Sequence, residues 1–305
     1  MNWETPDRLV MPARPPFDLT TVIRSHGWVQ LAPFERGPED ASFRYVDQLS
    51  SGQVIVLAVE PWQTGVRVNV LDGAEEPAAL NPAERAEAAA HISWMLQPQA
   101  DFSEFYAQAA GEPKLAHVIA GGNGRLLHSP TFFEDVVKTI LTTNIAWGGT
   151  ISMARRLVEN FGAPLPGDPE RRAFPTPQAL AAASPEALKS AARLGYRAPY
   201  VFALAQQQAS GEIDLEAYKH SDLPTPELRK ALLKVNGVGP YAAAHLLLLL
   251  GRYDFIPIDS YAFKLVSQEW HGGEPVGERE VEAAFARWER FKALSYWFWK
   301  WTDEA

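Results

Sequence analysis

The feature that most constrains this 305-residue sequence is one stretch, residues 231 to 266, which reads ALLKVNGVGPYAAAHLLLLLGRYDFIPIDSYAFKLV. A helix ending near Val235, a tight turn through Asn236-Gly237-Val238-Gly239 and a second helix opened by Pro240 and running to Leu250 make two helices joined by a hairpin. Proline suits a first helical turn because it has no donor to lose and its φ already matches the helix. The two glycines let the backbone pass close to a bulky ligand. The unpaired N–H groups at the start of the second helix form an anion site that suits phosphate oxygens. Gly251 stops that helix, and Phe255-Ile256-Pro257-Ile258 forms an extended apolar link that delivers Asp259 to the start of the next one. A carboxylate thus follows a phosphate-sized cradle by twenty residues.

Val235, Gly237, Val238, Gly239, Pro240, Ala242, Pro257 and Asp259 together resemble the signature of the helix-hairpin-helix (HhH-GPD) superfamily of DNA glycosylases: a glycine hairpin, a Gly/Pro-rich link and an aspartate. A lone G-V-G is a weak signal, whereas the hairpin joined to P-x-D at this spacing is much stronger. Among members, the chain looks most like bacterial 3-methyladenine DNA glycosylase II, and the run Leu194-Gly195-Tyr196-Arg197-Ala198 is similar to one found in 8-oxoguanine DNA glycosylases. The likeness extends over roughly residues 17 to 300, but only the hairpin-to-aspartate stretch is specific.

Composition narrows the class. With no cysteine there are no disulfides, thiolate metal sites or iron–sulfur cluster, so the cluster of the endonuclease III branch is excluded and a reducing cytoplasm is expected. No run of about 18 apolar residues occurs and no basic-then-apolar leader opens the chain, so the expectation is a soluble cytoplasmic protein associated with the nucleoid, without a membrane partner and monomeric. A net charge of −9 weighs against nucleic acid at first sight, because Lys and Arg supply much of non-specific DNA affinity. The excess is uneven, however: residues 1 to 125 hold 9 basic and 16 acidic side chains, residues 126 to 270 hold 14 of each. Around the hairpin, Arg229, Lys230, Lys234, Arg252 and Lys264 face only Asp254 and Asp259, which predicts modest, salt-sensitive binding to double-stranded damaged DNA.

Along the chain, four prolines in the first sixteen residues forbid a helix and predict an extended lead-in, followed by a short helix from Phe17-Asp18-Leu19-Thr20. Runs at Trp28 to Phe34, Ser42 to Leu49, Gln53 to Glu60 and Thr64 to Leu71, punctuated at Gly37-Pro38, Ser51-Gly52 and Trp62 to Gly65, predict an antiparallel meander. Pro82 starts a helix through Leu96, and Asp101 caps another. Past Gly121-Gly122-Asn123-Gly124 the periodicity is helical, with helices from Phe132, over Ile151 to Phe161, Ser184 to Arg193, Ala198 to Ser210, Thr225 to Val235, Tyr261 to Gln268, Glu278 to Arg290 and Ala293 to Trp301, and a Pro-rich link from Ala163 to Pro177. The fold class is therefore α+β: an N-terminal antiparallel-sheet domain over residues 1 to 115, then an all-helical body over 116 to 305. By resemblance that body is two-lobed, carries the helix-hairpin-helix at about 225 to 251 and has its active-site cleft between the lobes.

The candidate chemistry centres on Asp259. Breaking an N-glycosidic bond builds positive charge on the deoxyribose; a fixed carboxylate stabilises that charge and orients or deprotonates the attacking water. The bland role, N-capping the helix that follows, is compatible with it. In lyase members a lysine stands two residues after the last hairpin glycine; here Tyr241 occupies that place, which implies a monofunctional glycosylase using water. A flipped base needs aromatic or apolar walls. Tyr241 and His245 share a helix face, and by resemblance Phe291 matches a pocket tryptophan of the alkylation-repair branch. Electron-rich rings hold a cationic alkylated purine by cation–π attraction. Phosphate contacts are expected at Gly237, Val238, Gly239, Tyr241 and Ala242, and a DNA-wedging side chain at Thr143 or Asn144. Each has a packing alternative, and Tyr296 to Trp301 reads as a core-facing helix end rather than a stacking platform. No metal-ligand spacing or cofactor motif occurs, although the resemblance implies a monovalent cation, sodium or potassium, at carbonyls of Lys234, Val235 and Val238. Alkylated purine in DNA is the preferred substrate; the alternatives are an oxidised purine or a non-catalytic damage-binding protein.

Overall fold

The computed structural model describes residues 2–37 and 41–301, so Pro38 of the expected Gly37-Pro38 turn lies outside it. Strands come first and helices dominate thereafter, the expected α+β order. Six strands, β1 (Asn2–Thr5), β2 (Arg8–Pro12), β3 (Phe34–Arg36), β4 (Phe43–Gln48), β5 (Val54–Trp62) and β6 (Gly65–Leu71), form one sheet in the order β1-β2-β6-β5-β4-β3, every pair antiparallel. The run β3-β4-β5-β6 supplies the meander, and β2 pairs with β6. The proline-rich lead-in is extended as expected, and it is paired as β1 and β2. Pro6 falls in the turn between β1 and β2 and Pro12 at the end of β2, where neither interrupts a ladder. The run Trp28 to Phe34 departs from the expected strand: it begins with a single 3-10 turn, Gly27–Gln30, and becomes strand only at Phe34.

The chain divides into two compact units, residues up to Ala100 with Arg125–Ala217, and Asp101–Gly124 with the chain from Tyr218 onward. In the first, the helix Pro82–Leu96 starts where Asn81 and Glu84 cap each other's backbone N–H groups around Pro82, satisfying donors that the first turn would leave unpaired. His91 Nδ1 meets Asp47 Oδ2 at 2.7 Å, tying that helix to β4. The Pro-rich link contains a small hairpin, Pro164–Leu165 with Asp168–Arg172; Leu165 and Ala173 pack on Val46, Val54 and Val56 of the sheet. The helix Phe132–Thr142 is buried along almost its whole length. Its charged residues are paired inside: Tyr45 Oη donates to Glu134 Oε2 at 2.6 Å, Lys138 Nζ lies 2.6 Å from Glu134 Oε1, and Trp28 Nε1 donates to Asp135 Oδ1 at 2.8 Å.

The second unit is helical, with Ser103–Ala109, Ala116–Ala120, Thr225–Leu232, Pro240–Leu249, Ser260–Trp270, Glu278–Phe285 and Lys292–Trp297. The last two are shorter than expected. The chain tightens to 3-10 geometry over Ala286–Phe291, with Glu289 at φ 48°, and the final helix ends at Trp297 rather than Trp301. Phe285 is the hub of its core, meeting Trp270, Tyr296 and Trp299 edge-on at centroid distances of 5.4, 5.6 and 5.5 Å. Edge-to-face rings gain attraction beyond the area they bury.

Candidate active site

The hairpin is anchored by Val235 and Val238, both buried, with the Val238 N–H donating to the Val235 carbonyl at 3.0 Å. Gly237 turns the chain at φ 86°, a conformation costly for a side chain with Cβ. Gly239 is the N-cap of the helix Pro240–Leu249 and gives it no side-chain cap. The amides of Tyr241 and Ala242 lie in the first turn, at the positive end of the helix dipole. From Ala242 onward that helix is buried on every side, so only its Pro240-Tyr241 tip reaches the surface.

The link to Asp259 is held at several points. Gly251 takes φ 72°, Arg252 donates to the Ser221 carbonyl at 2.6 Å, Thr225 Oγ1 donates to Asp254 Oδ2 at 3.0 Å, and the Arg229 guanidinium lies over the Phe255 ring at 4.9 Å. Asp259 then N-caps the helix Ser260–Trp270: its Oδ1 accepts from the amides of Tyr261 at 3.0 Å and Ala262 at 2.9 Å. Both cap bonds fall on Oδ1, so Oδ2 is not engaged by the cap, and the residue is exposed. A carboxylate fixed in this way has one oxygen held by the helix terminus while the other stays presentable.

Aromatic rings collect near it. Tyr241 stacks on His245 at 6.3 Å and 14° between planes, and His245 meets Trp297 at 5.6 Å. Burial pushes His245 down to about 4, so its imidazole is neutral at physiological pH. Tyr296 is buried, and its phenol is raised far above the usual value by burial first and then by the negative charge of Asp259 and the nearby phenols of Tyr241 and Tyr261. Phe291, by contrast, is buried against Phe105 at 5.6 Å and Tyr253 at 6.2 Å. Tyr296 is buried, as the core-facing reading of residues 296 to 301 expects, whereas Trp297 is only partly buried, because an aromatic run carries no mark of which ring turns outward. The oxygen donors suggested for a monovalent cation include the Val235 carbonyl, which already accepts from Val238 and keeps one lone pair. Among the described residues, no group of three or more His, Asp or Glu side chains could hold a metal ion.

In the first unit, Thr143 ends the helix Phe132–Thr142 and Asn144 follows at φ 50°. The Tyr196 hydroxyl lies 3.2 Å from both Thr143 Oγ1 and Asn144 Nδ2, and Arg197, buried under the Tyr196 ring, donates to the Thr143 carbonyl. The structure thus joins the Leu194–Ala198 run to the Thr143-Asn144 turn, with Tyr196 half exposed. Arg155 pairs with Glu159 on an exposed helix face, as a solvated charge does.

A family model for "HhH-GPD superfamily base excision DNA repair protein" matches residues 137–290. The chain is 23% identical over 223 residues to a DNA-3-methyladenine glycosylase of Bacillus subtilis, covering 70% of this chain and 72% of that one. Its fold resembles the solved 3-methyladenine DNA-glycosylase of Archaeoglobus fulgidus, with a TM-score of 0.72 at 21% identity over 95% and 96% of the two chains. It also resembles an 8-oxoguanine glycosylase/lyase of Clostridium acetobutylicum, with a TM-score of 0.66 at 18% identity over 90% and 92%. Among the described residues no helix is long and apolar enough to cross a membrane. With the hairpin, the link and the capping aspartate in place and the family model spanning half of the sequence, this chain belongs to the HhH-GPD superfamily of base excision DNA repair proteins, a family of DNA glycosylases.

Proposed function

We propose that the protein is a monofunctional DNA glycosylase that releases alkylated purines from duplex DNA as a monomer. The observation that carries this reading is Asp259, exposed and fixed by its own cap at a helix N-terminus one link beyond the hairpin, with Tyr241 where a lyase would need lysine. The hairpin amides from Gly237 to Ala242 grip a phosphate of the lesion strand, and Thr143 or Asn144 fills the gap left by the extruded base. As the C1′–N bond lengthens, its electron pair leaves with the purine and positive charge builds on the sugar. Asp259 stabilises that charge, water adds to C1′, and its proton passes to the carboxylate. A purine alkylated on a ring nitrogen is already cationic and leaves neutral, so no general acid is required. The Tyr241 and His245 rings, with Phe291 the further candidate wall, suit such a cation better than they suit an anion. The carbonyls of Lys234, Val235 and Val238 would hold a monovalent cation, whose positive charge would favour a phosphate at the hairpin.

The test is a panel of duplexes, each with one alkylated, deaminated or oxidised base, incubated with wild type or Asp259→Asn and divided into alkali-treated and untreated halves. Strand cleavage of an alkylated duplex only after alkali, absent in the variant, is the expected result. An adduct trapped by borohydride would identify a lyase instead, and binding to every lesion without base release would leave a damage-binding protein. The Leu194–Ala198 run, set against Thr143 and Asn144, keeps an oxidised purine as the second substrate to try.

A further inference from the structure

A cavity of about 620 Å³ opens in the first unit, beside the edge strand β3. Arg24, Gln30 and Arg36 give it a polar wall and Ile23, Val29 and Phe34 an apolar one, and none of its described lining residues is acidic. Acids outnumber bases 16 to 9 over residues 1 to 125, and other arginines there are engaged by them, Arg44 by Glu75 and Arg67 by Glu60. Arg24 and Arg36 have no side-chain hydrogen bond or ion pair among the described residues. The described acids beside them serve elsewhere: Asp18 caps the helix Leu19–Ile23, and Glu35 receives Arg171 at 2.7 and 2.9 Å. Gln30 accepts the Trp147 indole N–H on its Oε1 at 3.0 Å, which leaves its amide nitrogen as the end free to donate. Two permanently charged, forked guanidiniums and an amide donor on one wall match the oxygens of a phosphate. We propose that this cavity takes a backbone phosphate of duplex DNA, held by Arg24 and Arg36, and so extends the DNA footprint of the chain into its acidic N-terminal sheet domain.

The bond from Gln30 to Trp147 is what points to a DNA backbone rather than a free anion. Trp147 opens the helix Trp147–Phe161 three residues after Asn144, in the same unit as the cavity. Its indole packs so closely on Gly27 that a Cβ there would come within 2.1 Å of the ring. The Thr143-Asn144 turn is thereby tied to the cavity wall by one side-chain hydrogen bond and one close packing contact. Each strand of a duplex presents a phosphate about every 3.4 Å, so a duplex lying across that turn carries its backbone past Trp147 to the cavity. The space exceeds what one phosphate fills, and Ile23, Val29 and Phe34 offer an apolar surface to the adjoining deoxyribose. This goes beyond the glycosylase reading: it asks only that the chain bind duplex DNA, and it holds whichever base is released.

The experiment measures binding by fluorescence anisotropy, over a series of salt concentrations, to a duplex with one tetrahydrofuran abasic analogue. Arg24→Gln, Arg36→Gln and the double variant are compared with wild type and with Arg155→Gln, which loses the same charge from an arginine paired with Glu159. The double variant should bind more weakly, with a slope of log K against log salt shallower by about one, the change for one phosphate contact. Its disadvantage should therefore shrink about threefold between about 50 and 200 mM salt. Arg155→Gln should keep the wild-type slope, and the pair Arg24→Lys with Arg36→Lys, which retains both charges, should recover most of it. Neutral methylphosphonate linkages placed one at a time along both strands should reveal a position that weakens wild type and leaves the double variant unchanged. An unchanged slope in the double variant, or an equal change in Arg155→Gln, overturns the proposal. Inorganic phosphate that raises the unfolding temperature of wild type but not of the double variant, with identical DNA affinities, makes this a free-anion site and overturns it as well. Those results leave the glycosylase reading intact, whereas a wild type that binds no duplex overturns both.

Discussion

Asp135 and Asp259 carry the same side chain in opposite surroundings. Asp135 lies on the helix Phe132–Thr142 with no exposed surface, accepting from the Trp28 indole at 2.8 Å and the Ser129 amide at 2.9 Å. Burial is the largest influence on it and pushes its pKa from 3.8 to about 7, against the pull of its hydrogen bonds and of Lys138. Asp259 also accepts from backbone amides, but it is exposed at the start of its helix and both bonds use one oxygen. A buried carboxylate surrounded by donors is committed to holding its neighbours. One that caps from the surface leaves an oxygen outside its cap bonds, so hydrogen-bond count alone does not distinguish the two.

The strongest way to break this comparison is Asp259→Asn. Asparagine caps about as well as aspartate, so the variant should unfold at nearly the wild-type temperature while base release falls by about 100-fold or more, the usual scale for removing a preorganised charge stabiliser. A large drop in thermal stability without a matching loss of single-turnover rate would place Asp259 with Asp135 among the structural acids.

Next in size is Lys138→Met in the buried cluster. Lys138 Nζ lies 2.6 Å from Glu134 Oε1, donates to Ser129 Oγ at 3.2 Å and sits over the Phe34 ring at 4.8 Å, with no exposed surface. Removing the cation strands Glu134 and should cost about 3–5 kcal/mol in a urea unfolding curve. Asp135→Asn acts on pH dependence instead. Because the folded pKa lies above the ordinary carboxylate value, the folded chain holds its proton more tightly than the unfolded chain. That contribution to stability is full below about pH 4 and is lost as pH rises toward 7, at about 1.4 kcal/mol per unit. Asparagine keeps an oxygen for Trp28 and Ser129 and has no charge to bury, so the urea midpoint of the variant should decline less than that of wild type over this window.

The comparison also shows what a sequence can disclose. The helix Pro82–Leu96 was legible to the residue because Asn81, Pro82 and Glu84 are local signals for a local event. The hairpin and the approach to Asp259 were legible for the same reason: glycines, prolines and an aspartate at set spacings act on the backbone beside them. Trp28 to Phe34 was not, although its composition suits a strand. Trp28 forms a 3-10 turn and donates its indole N–H to Asp135, a partner 107 residues away. The acids and lysine of the helix Phe132–Thr142 lie inside for a related reason, since their partners Tyr45 and Trp28 come from the first fifty residues. At the site, Tyr241 and His245 follow from helical spacing, whereas the separation of Trp297 from its buried neighbours depends on rings contributed by Trp270, Phe285 and His245.

The smallest expected effect separates the two duties of Asp259. Asp259→Ala removes cap and charge together, leaving the amides of Tyr261 and Ala262 without their side-chain acceptor. A lost cap costs about 1 kcal/mol, so the alanine variant should unfold slightly earlier than the asparagine variant in matched thermal scans. If the charge carries the chemistry, both variants should show the same residual rate of base release. A slower alanine variant would mean that the cap also holds the start of the helix Ser260–Trp270 in register for the reaction. A faster one would mean that the asparagine amide, a donor where the carboxylate is an acceptor, obstructs the attacking water. Matched rates with a small stability gap would leave Asp259 as one residue performing two separable tasks, which is the property that Asp135, sealed beneath Trp28, lacks.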